Sequence, residues 1–455
     1  MKTLAIIGAG FSGTVVAVNF LNNAPKGARL VMINRSGQMA KGLAYGTNSP
    51  AHLLNVPAGN MTAVVSDPDS YLKFCQRYDK EIQPSTFTTR KLYGEYLEDL
   101  LLNAAENAKG RVNFEQITAD VIGLSKNHHS AAIELDNGST LNADQVILAL
   151  GHFPPLTPQP LSNFGQSDHY IPDPWSERIP NIEDRDATVI LVGGGLTALD
   201  VICSLKKRGH TGKIHMLSRR GLIPLPHRQN RGTVLSHQSL IEDLKKQLTP
   251  LAHLRIIRRY INSTREADWR DVIAALRPIT TDLWKSYPER EKRRFLRHLQ
   301  PHWDVHRHRV APNSYRTFAD ALASSQVIPV AGRIKSAHGV HDGIELRVHL
   351  RGRPQEAVLV ANYVINCTGP NSNPTLVRES LIKKLLNENV ITTDVHNLGI
   401  NVDTSLAVVN GNGDSSEWLS YVGPMLKATL WEATAVPELR IHATALSNKI
   451  TKLFS

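Results

Sequence analysis

The chain opens on an unbroken apolar run, Leu4-Ala5-Ile6-Ile7, instead of an alternating one. Continuous apolar runs belong to parallel strands buried on both faces. Directly behind it stand Gly8-Ala9-Gly10-Phe11-Ser12-Gly13, an apolar helical stretch through Phe20, and a second run, Arg29-Leu30-Val31-Met32-Ile33. That order of strand, tight turn, helix and strand is a βαβ unit. The pattern restarts far downstream. Thr188-Val189-Ile190-Leu191-Val192 leads into Gly193-Gly194-Gly195-Leu196-Thr197-Ala198, a helix through Leu205, and the strand Lys213-Ile214-His215-Met216-Leu217. Each opening is answered later by a strand that runs into a glycine, at Leu150-Gly151 and at Thr368-Gly369. A last strand, Leu419-Ser420-Tyr421-Val422, stops at Gly423-Pro424, and a helical pattern over 430–446 closes the chain.

The glycine spacing gives the turns a chemistry. In G-x-G-x-x-G, Gly8 permits the tight turn, Gly10 lets backbone approach a pyrophosphate, and Gly13 lets the helix pack on the sheet. The helix start, at Phe11 and Ser12, then offers free N–H groups and a positive dipole end. In the second copy Gly193 and Gly195 keep their places, Thr197 is a further candidate contact, and Ala198 stands in the third position, a permitted variant. The two copies predict an α/β chain with two Rossmann-type dinucleotide-binding domains. Residues 236–325, starting about Ser236, lack a strand rhythm and read as a helical insertion in the second. Proline and polar residues over 168–186 read as a linker. The expected boundaries are 1–157 and 371–455 for one domain and 158–370 for the other.

The residues after each second strand set the nucleotide. An acid usually grips the ribose hydroxyls there, but the first copy has Asn34-Arg35, and an amide pairs more weakly than a carboxylate. The second has Ser218-Arg219-Arg220 with no acid in reach, which suits the 2′-phosphate of NADPH better than NADH.

Composition narrows the class without changing this picture. At 455 residues, 41% hydrophobic and 20% charged, the chain has the profile of a globular protein of two or three domains. Its net charge of +11 invites a nucleic-acid reading, but no such motif accompanies it, and anionic cofactors need basic residues too. Cys75, Cys203 and Cys367 form no C-x-x-C pair, which excludes a disulfide framework and the familiar zinc spacings and fits a reducing, cytoplasmic location. The apolar stretch over 4–21 resembles a signal peptide, but its three glycines and the lack of a cleavage site favour strand, turn and helix. No membrane partner is therefore expected, and nothing speaks to oligomeric state.

The order of parts resembles the two-dinucleotide-binding-domain flavoproteins, in which the first site holds FAD and the inserted second site holds the nicotinamide. More closely, Lys41-Gly42-Leu43-Ala44-Tyr45-Gly46-Thr47 and the string His52-Leu53-Leu54-Asn55-Val56-Pro57-Ala58-Gly59-Asn60-Met61 resemble a bacterial group of FAD/NAD(P)-binding proteins without a settled reaction. So do Trp303-Asp304-Val305-His306-Arg307-His308-Arg309 and the stretch from Leu430 to Arg440. The resemblance adds Tyr45, Leu54, Asn55 and Met61 to the candidate cofactor residues. Arg90-Lys91-Leu92-Tyr93-Gly94-Glu95-Tyr96-Leu97 is similar to a helix of N-hydroxylating and class B flavin monooxygenases that lies along FAD, which adds Arg90. An amphipathic helix with Arg90 on its wet side is the other reading. Many relatives end the last FAD strand in Gly-Asp, and here Gly423-Pro424 supplies no acid.

The resemblance implies an NADPH- and FAD-dependent oxidoreductase, monooxygenase-like, acting on a small amine or amino acid. Two alternatives stay open: a reductase or dehydrogenase that never uses oxygen, and a non-catalytic FAD-binding redox sensor. The missing C-x-x-C pair argues against a disulfide reductase. No catalytic residue is legible and no metal site is expected. His306, Arg307, His308 and Arg309, and the string Pro224-Leu225-Pro226-His227-Arg228, are candidates for holding an anionic substrate.

Overall fold

The first apolar run forms β1 (Thr3–Ile7), all five residues of which are buried. In the computed structural model the residues described are 1–455 apart from 128–129, 177–178, 180–181, 229–236 and 265–267. The chain divides into two units: Met1–Pro50, Val56–Phe153 and Asn371–Ser455 make the first, Ala51–Asn55 and Pro154–Pro370 the second.

In the first unit β1 pairs in parallel with β2 (Ala28–Ile33), which pairs with β3 (Val112–Ile117). Three strands, β4 (Val121–Lys126), β5 (Ala131–Leu135) and β6 (Thr140–Ala143), make a separate antiparallel sheet. β7 (Gln145–Leu148) returns to the free side of β1.

The second unit holds β8 (Tyr170–Ile171), β9 (Val189–Val192), β10 (Ile214–Ser218), β11 (Val327–Val340), β12 (Gly343–Leu350), β13 (Glu356–Ala361) and β14 (Tyr363–Asn366). Their order across the sheet is β13-β12-β11-β10-β9-β14-β8. β9, β10, β14 and β8 are parallel, and β11 leaves β10 to pair antiparallel with β12 after a bulge between Ile334 and Ser336. The chain then re-enters the first unit as β15 (Ala407–Val409) and β16 (Ser415–Tyr421), giving the order β15-β16-β7-β1-β2-β3.

Helix Phe11–Asn23 is buried along most of its length. It packs on the closing helix Val436–Phe454 through the edge-on pair Phe20–Phe454, with centroids 5.3 Å apart, and the bond from Ser447 Oγ to the Val16 carbonyl (3.2 Å). A core side chain such as Phe20, with no exposed surface, stabilises the fold by about 1.5–3 kcal/mol. The closing helix begins later than the pattern over 430–446 predicts. Pro437 sits in its first turn, where a missing N–H costs nothing, and residues before Val436 form turns.

Two further differences concern the second unit. The expected linker contains β8, whose buried Tyr170 and Ile171 pair with Val364 and Ile365; its residues 177–178 and 180–181 lie outside the described ones. Ser236, the expected start of the insertion, also lies outside. From Gln238 to Ala323 the described residues form helices, with a small core of Leu240, Leu244, Val272, Ile273, Leu276 and Ile279. No helix among the described residues is long and apolar enough to cross a membrane.

Candidate functional site

At the end of β1 the chain turns through Gly8, held at φ +103°, where a Cβ would sit 2.6 Å from the Ala149 carbonyl oxygen. Gly13 is closed for another reason: its Cβ would lie 2.0 Å from the Gly8 carbonyl oxygen, so the helix rests on the turn. Gly10 differs from both. Its backbone (φ −81°, ψ −163°) suits any residue, and its Cβ would meet only the Gly42 Cα, at 3.7 Å. Neither conformation nor packing requires glycine there.

What a side chain on Gly10 would fill is the space before helix Phe11–Asn23. No side chain caps that helix, although Ser, Thr, Asp and Asn are the usual choices. The N–H groups of Phe11, Ser12 and Gly13 thus have no acceptor within the helix. Thr14 Oγ1, in the same turn, is buried without a partner among the described residues. A bare cradle faced by N–H donors and a positive dipole end suits a diphosphate.

Other predicted residues of the first unit gather nearby in the chain's packing. Phe11 stacks on Tyr93 (centroids 6.3 Å apart), and Tyr45 meets the same ring edge-on at 4.6 Å. Gly94 permits this, since a Cβ there would come within 2.4 Å of the Tyr45 carbonyl oxygen. Arg90 begins helix Arg90–Ala108, capped by Thr89. Burial pushes the Tyr45 phenol up to about 12, against the pull of Arg90, so it remains a hydrogen-bond donor at neutral pH. Met61 is buried. Gly151 and Gly423 follow the adjacent strands β7 and β16. Tyr421 Oη donates to the Leu150 carbonyl (3.0 Å), and a Cβ on Gly423 would lie 2.6 Å from that same oxygen.

At the end of β2, Asn34 Nδ2 donates to Ser36 Oγ (2.9 Å) and to the Gln38 carbonyl (2.8 Å). Both bonds use the donor end, leaving Oδ1 as an acceptor. Arg35 is exposed and pairs with Glu379 at 3.6 Å.

The second unit repeats the arrangement. Gly193, at φ +132°, would place a Cβ 2.1 Å from the Cys367 carbonyl oxygen. Gly195 has an extended backbone (φ −93°, ψ −167°) and open space where a Cβ would be. Helix Leu196–Lys207 again lacks a capping side chain; the Ala198 N–H turns back to the Gly195 carbonyl (3.1 Å), and the N–H groups of Leu196 and Thr197 stay available. Ala198 is fully buried in the cluster with Ile202 and Phe318. Gly369, after β14, has φ +92° and open space.

At the end of β10, Ser218 Oγ accepts the Gly221 N–H (3.0 Å), and the turn leaves Arg219 exposed. Arg220, half-buried, donates to the Arg297 carbonyl. Burial first, then the charges of Arg351, Arg219 and Arg333, hold Arg220 below the usual arginine range. The register explains the gathering: Ser218 lies opposite Ala331, and the Arg351 N–H donates to the Ala331 carbonyl (2.8 Å). Arg333 and Arg351 were not legible as site residues, because only strand pairing brings them to Arg220. Leu54 and Asn55, two of the predicted cofactor residues, belong to the second unit, where the Asn55 carbonyl accepts from His227 Nε2 (2.9 Å). All three cysteines are buried thiols.

Residues 5–153 match the FAD-NAD(P)-binding family model. No curated protein sequence matches the chain. Among solved structures it is similar to an ornithine hydroxylase from Pseudomonas aeruginosa, at 15% identity and a TM-score of 0.65 over 100% of both chains. It is similar to the ornithine N-hydroxylase of Kutzneria sp. 744, at 14% identity and a TM-score of 0.63 over 99% of both. L-lysine 6-monooxygenase from Pseudomonas syringae matches with 14% identity and a TM-score of 0.63, again over 99% of both. The two-dinucleotide-binding-domain flavoprotein fold is thus shared along the chain.

Proposed function

We propose that the chain is an oxidoreductase that holds FAD in its first unit and takes hydride from NADPH in its second. The observation that carries this reading is the pair of open cradles at Gly10 and Gly195, each glycine without a conformational or packing reason to be one. The matched family model covers the first cradle. The proposed substrate, a small amine or amino acid, takes its support from the N-hydroxylating enzymes whose fold the chain shares.

In the first unit the N–H groups of Phe11, Ser12 and Gly13 bind the diphosphate, and Asn34 Oδ1 accepts from a ribose hydroxyl. Phe11 and Tyr45 wall the site against Tyr93. In the second, the N–H groups of Leu196 and Thr197 repeat the diphosphate contact over buried Ala198, and Arg219 and Arg220, backed by Arg333 and Arg351, hold the 2′-phosphate. The flavin, when bound, supplies hydride acceptance and the reaction with oxygen; the protein supplies position and exclusion of water.

The test is direct. Purified protein should be yellow and bleach with NADPH under anaerobic conditions, and with oxygen and the right amine should form hydroxylated product. Bleaching followed by stoichiometric hydrogen peroxide across a broad panel of amines and amino acids would leave a reductase. Failure to bleach would overturn the enzyme reading.

A further inference from the structure

Apart from the nucleotide turns, the second unit gathers positive charge around Arg309. After β10 the chain runs beside Arg309 and Val310: the His227 N–H donates to the Val310 carbonyl (3.0 Å), and the Val310 N–H to that of Leu225 (2.9 Å). This short parallel bridge, Pro226 to Val310, brings Arg309 within electrostatic reach of His227. Helix Trp269–Ala275 brings in Arg270, whose Nε donates to the Pro226 carbonyl (3.1 Å) and whose guanidinium lies over the Trp269 ring.

The acids nearby are already engaged. Arg228 binds Asp268 through Nε (2.9 Å) and Asp271 through Nη2 (2.5 Å), and Arg270 reaches Asp268 at 3.4 Å. Arg309 is left out of this network. Its Nη1 meets the Arg270 carbonyl only at 3.5 Å, and its Nε is buried without a hydrogen-bond partner among the described residues. Burial, with Arg307 and Arg270 adding to it, brings Arg309 down to about 10, against the weaker pull of Asp271 and Asp268. Burial, then the charges of Arg309, Arg307 and Arg270, bring His227 down to about 4, against the bond to the Asn55 carbonyl. His227 is therefore neutral, and its Nε2–H is committed to the Asn55 carbonyl (2.9 Å). An anion arriving here is left to Arg309.

We propose that Arg309 anchors a carboxylate of the small-molecule substrate through Nε and its adjacent Nη. Two donors on one edge of a planar guanidinium match the two oxygens of a carboxylate. A carboxylate, with two oxygens and one charge, also leaves fewer acceptors unmatched at two donors than a phosphate dianion does. Assigning the carboxylate to the substrate rests on the oxidoreductase reading above; the anion site itself does not.

The test uses the full protein as purified. Thermal melts are recorded with acetate, glutarate, inorganic phosphate and acetamide, against chloride at equal ionic strength. Acetate and glutarate should raise the melting temperature and acetamide should not; phosphate, which the nucleotide cradles can also take, is read only through what R309Q changes. R309Q should weaken acetate binding at least about tenfold, the loss expected for a two-donor charge-assisted contact. R309K, which keeps the charge and guards against a folding defect in R309Q, should fall between. In the second arm, NADPH consumption is compared for L-lysine and cadaverine, which differ by one carboxylate; only the L-lysine KM should rise in the variants. Equal melts in acetate and chloride, a phosphate effect that R309Q reduces more than it reduces that of acetate, or acetate binding unchanged in both variants would overturn the proposal. A protein that bleaches with NADPH but ignores carboxylates sinks this site and spares the function. One that binds acetate through Arg309 yet holds no flavin keeps the anion site and overturns its assignment to the substrate.

Discussion

Gly10 and Gly195 stand at the same point of two turns, and the backbone around them is nearly the same. Both precede a helix without a capping side chain, both have extended dihedrals, and both face space that a Cβ would enter. The surroundings diverge one strand further on. Asn34 is tied into its own loop by two bonds and Arg35 is paired with Glu379. Arg219 and Arg220 instead meet two more arginines, Arg333 and Arg351. A diphosphate is recognised by backbone, which is common to both turns, whereas the rest of the nucleotide is recognised by side chains that are not. On the proposed reading, the first neutral and the second cationic surrounding divide FAD from NADPH.

The largest effect should come from closing each cradle in turn. Gly10→Val should purify folded and colourless, because the branched side chain fills the diphosphate position. Gly195→Val should stay yellow but no longer bleach with NADPH. Absorbance of the purified proteins before and after anaerobic NADPH checks both. A yellow, bleachable Gly10→Val would show that the two turns have been assigned the wrong way or bind nothing.

Next comes the cationic surrounding. Removing Arg219 and Arg220 together should cost about 1.5–3 kcal/mol in NADPH recognition, the range for hydrogen bonds to charged groups. The apparent KM for NADPH should therefore rise roughly tenfold to a hundredfold, while that for NADH moves little. Equal changes for both nucleotides would return these arginines to solvent.

A third substitution separates cradle from packing. Gly13→Ala puts a Cβ 2.0 Å from the Gly8 carbonyl oxygen and should destabilise the fold by about 1–3 kcal/mol, as overpacking does. Gly195→Ala, entering open space, should leave the melting temperature unchanged. Denaturant unfolding of the two variants makes the comparison.

Both turns were legible because their signals are local. Apolar runs announced β1, β2, β9 and β10, and glycine spacing announced the turns between strand and helix. The antiparallel sheets were not. In β13 the alternation is real, but Val358 and Val360 lie on the exposed side, so their hydrophobicity carries no information about which face is buried. Arg333 and Arg351 belong to no motif; the β11–β12 register and the bond to Ala331 bring them to Arg220. Likewise Asn55, inside a string similar to FAD-binding relatives, is claimed by His227 of the second unit through a single hydrogen bond. Spacing along a chain says nothing of such a contact.

The smallest effect tests how the first turn manages without an acid. Asn34 does two jobs that chemistry can part. Its Nδ2 holds the loop through Ser36 and Gln38, and its Oδ1 is proposed to accept from a ribose hydroxyl. Asn34→Asp keeps an acceptor and removes the donors; Asn34→Ala removes both. If the ribose contact dominates, Asn34→Ala should weaken FAD by about 1 kcal/mol, roughly fivefold, the usual net worth of one hydrogen bond. Asn34→Asp should then bind as well as the parent or better, since a carboxylate accepts more strongly. Equal losses in the two variants would assign the residue to the loop instead. Titration of apoprotein with FAD, followed by the quenching of flavin fluorescence, resolves a difference of this size.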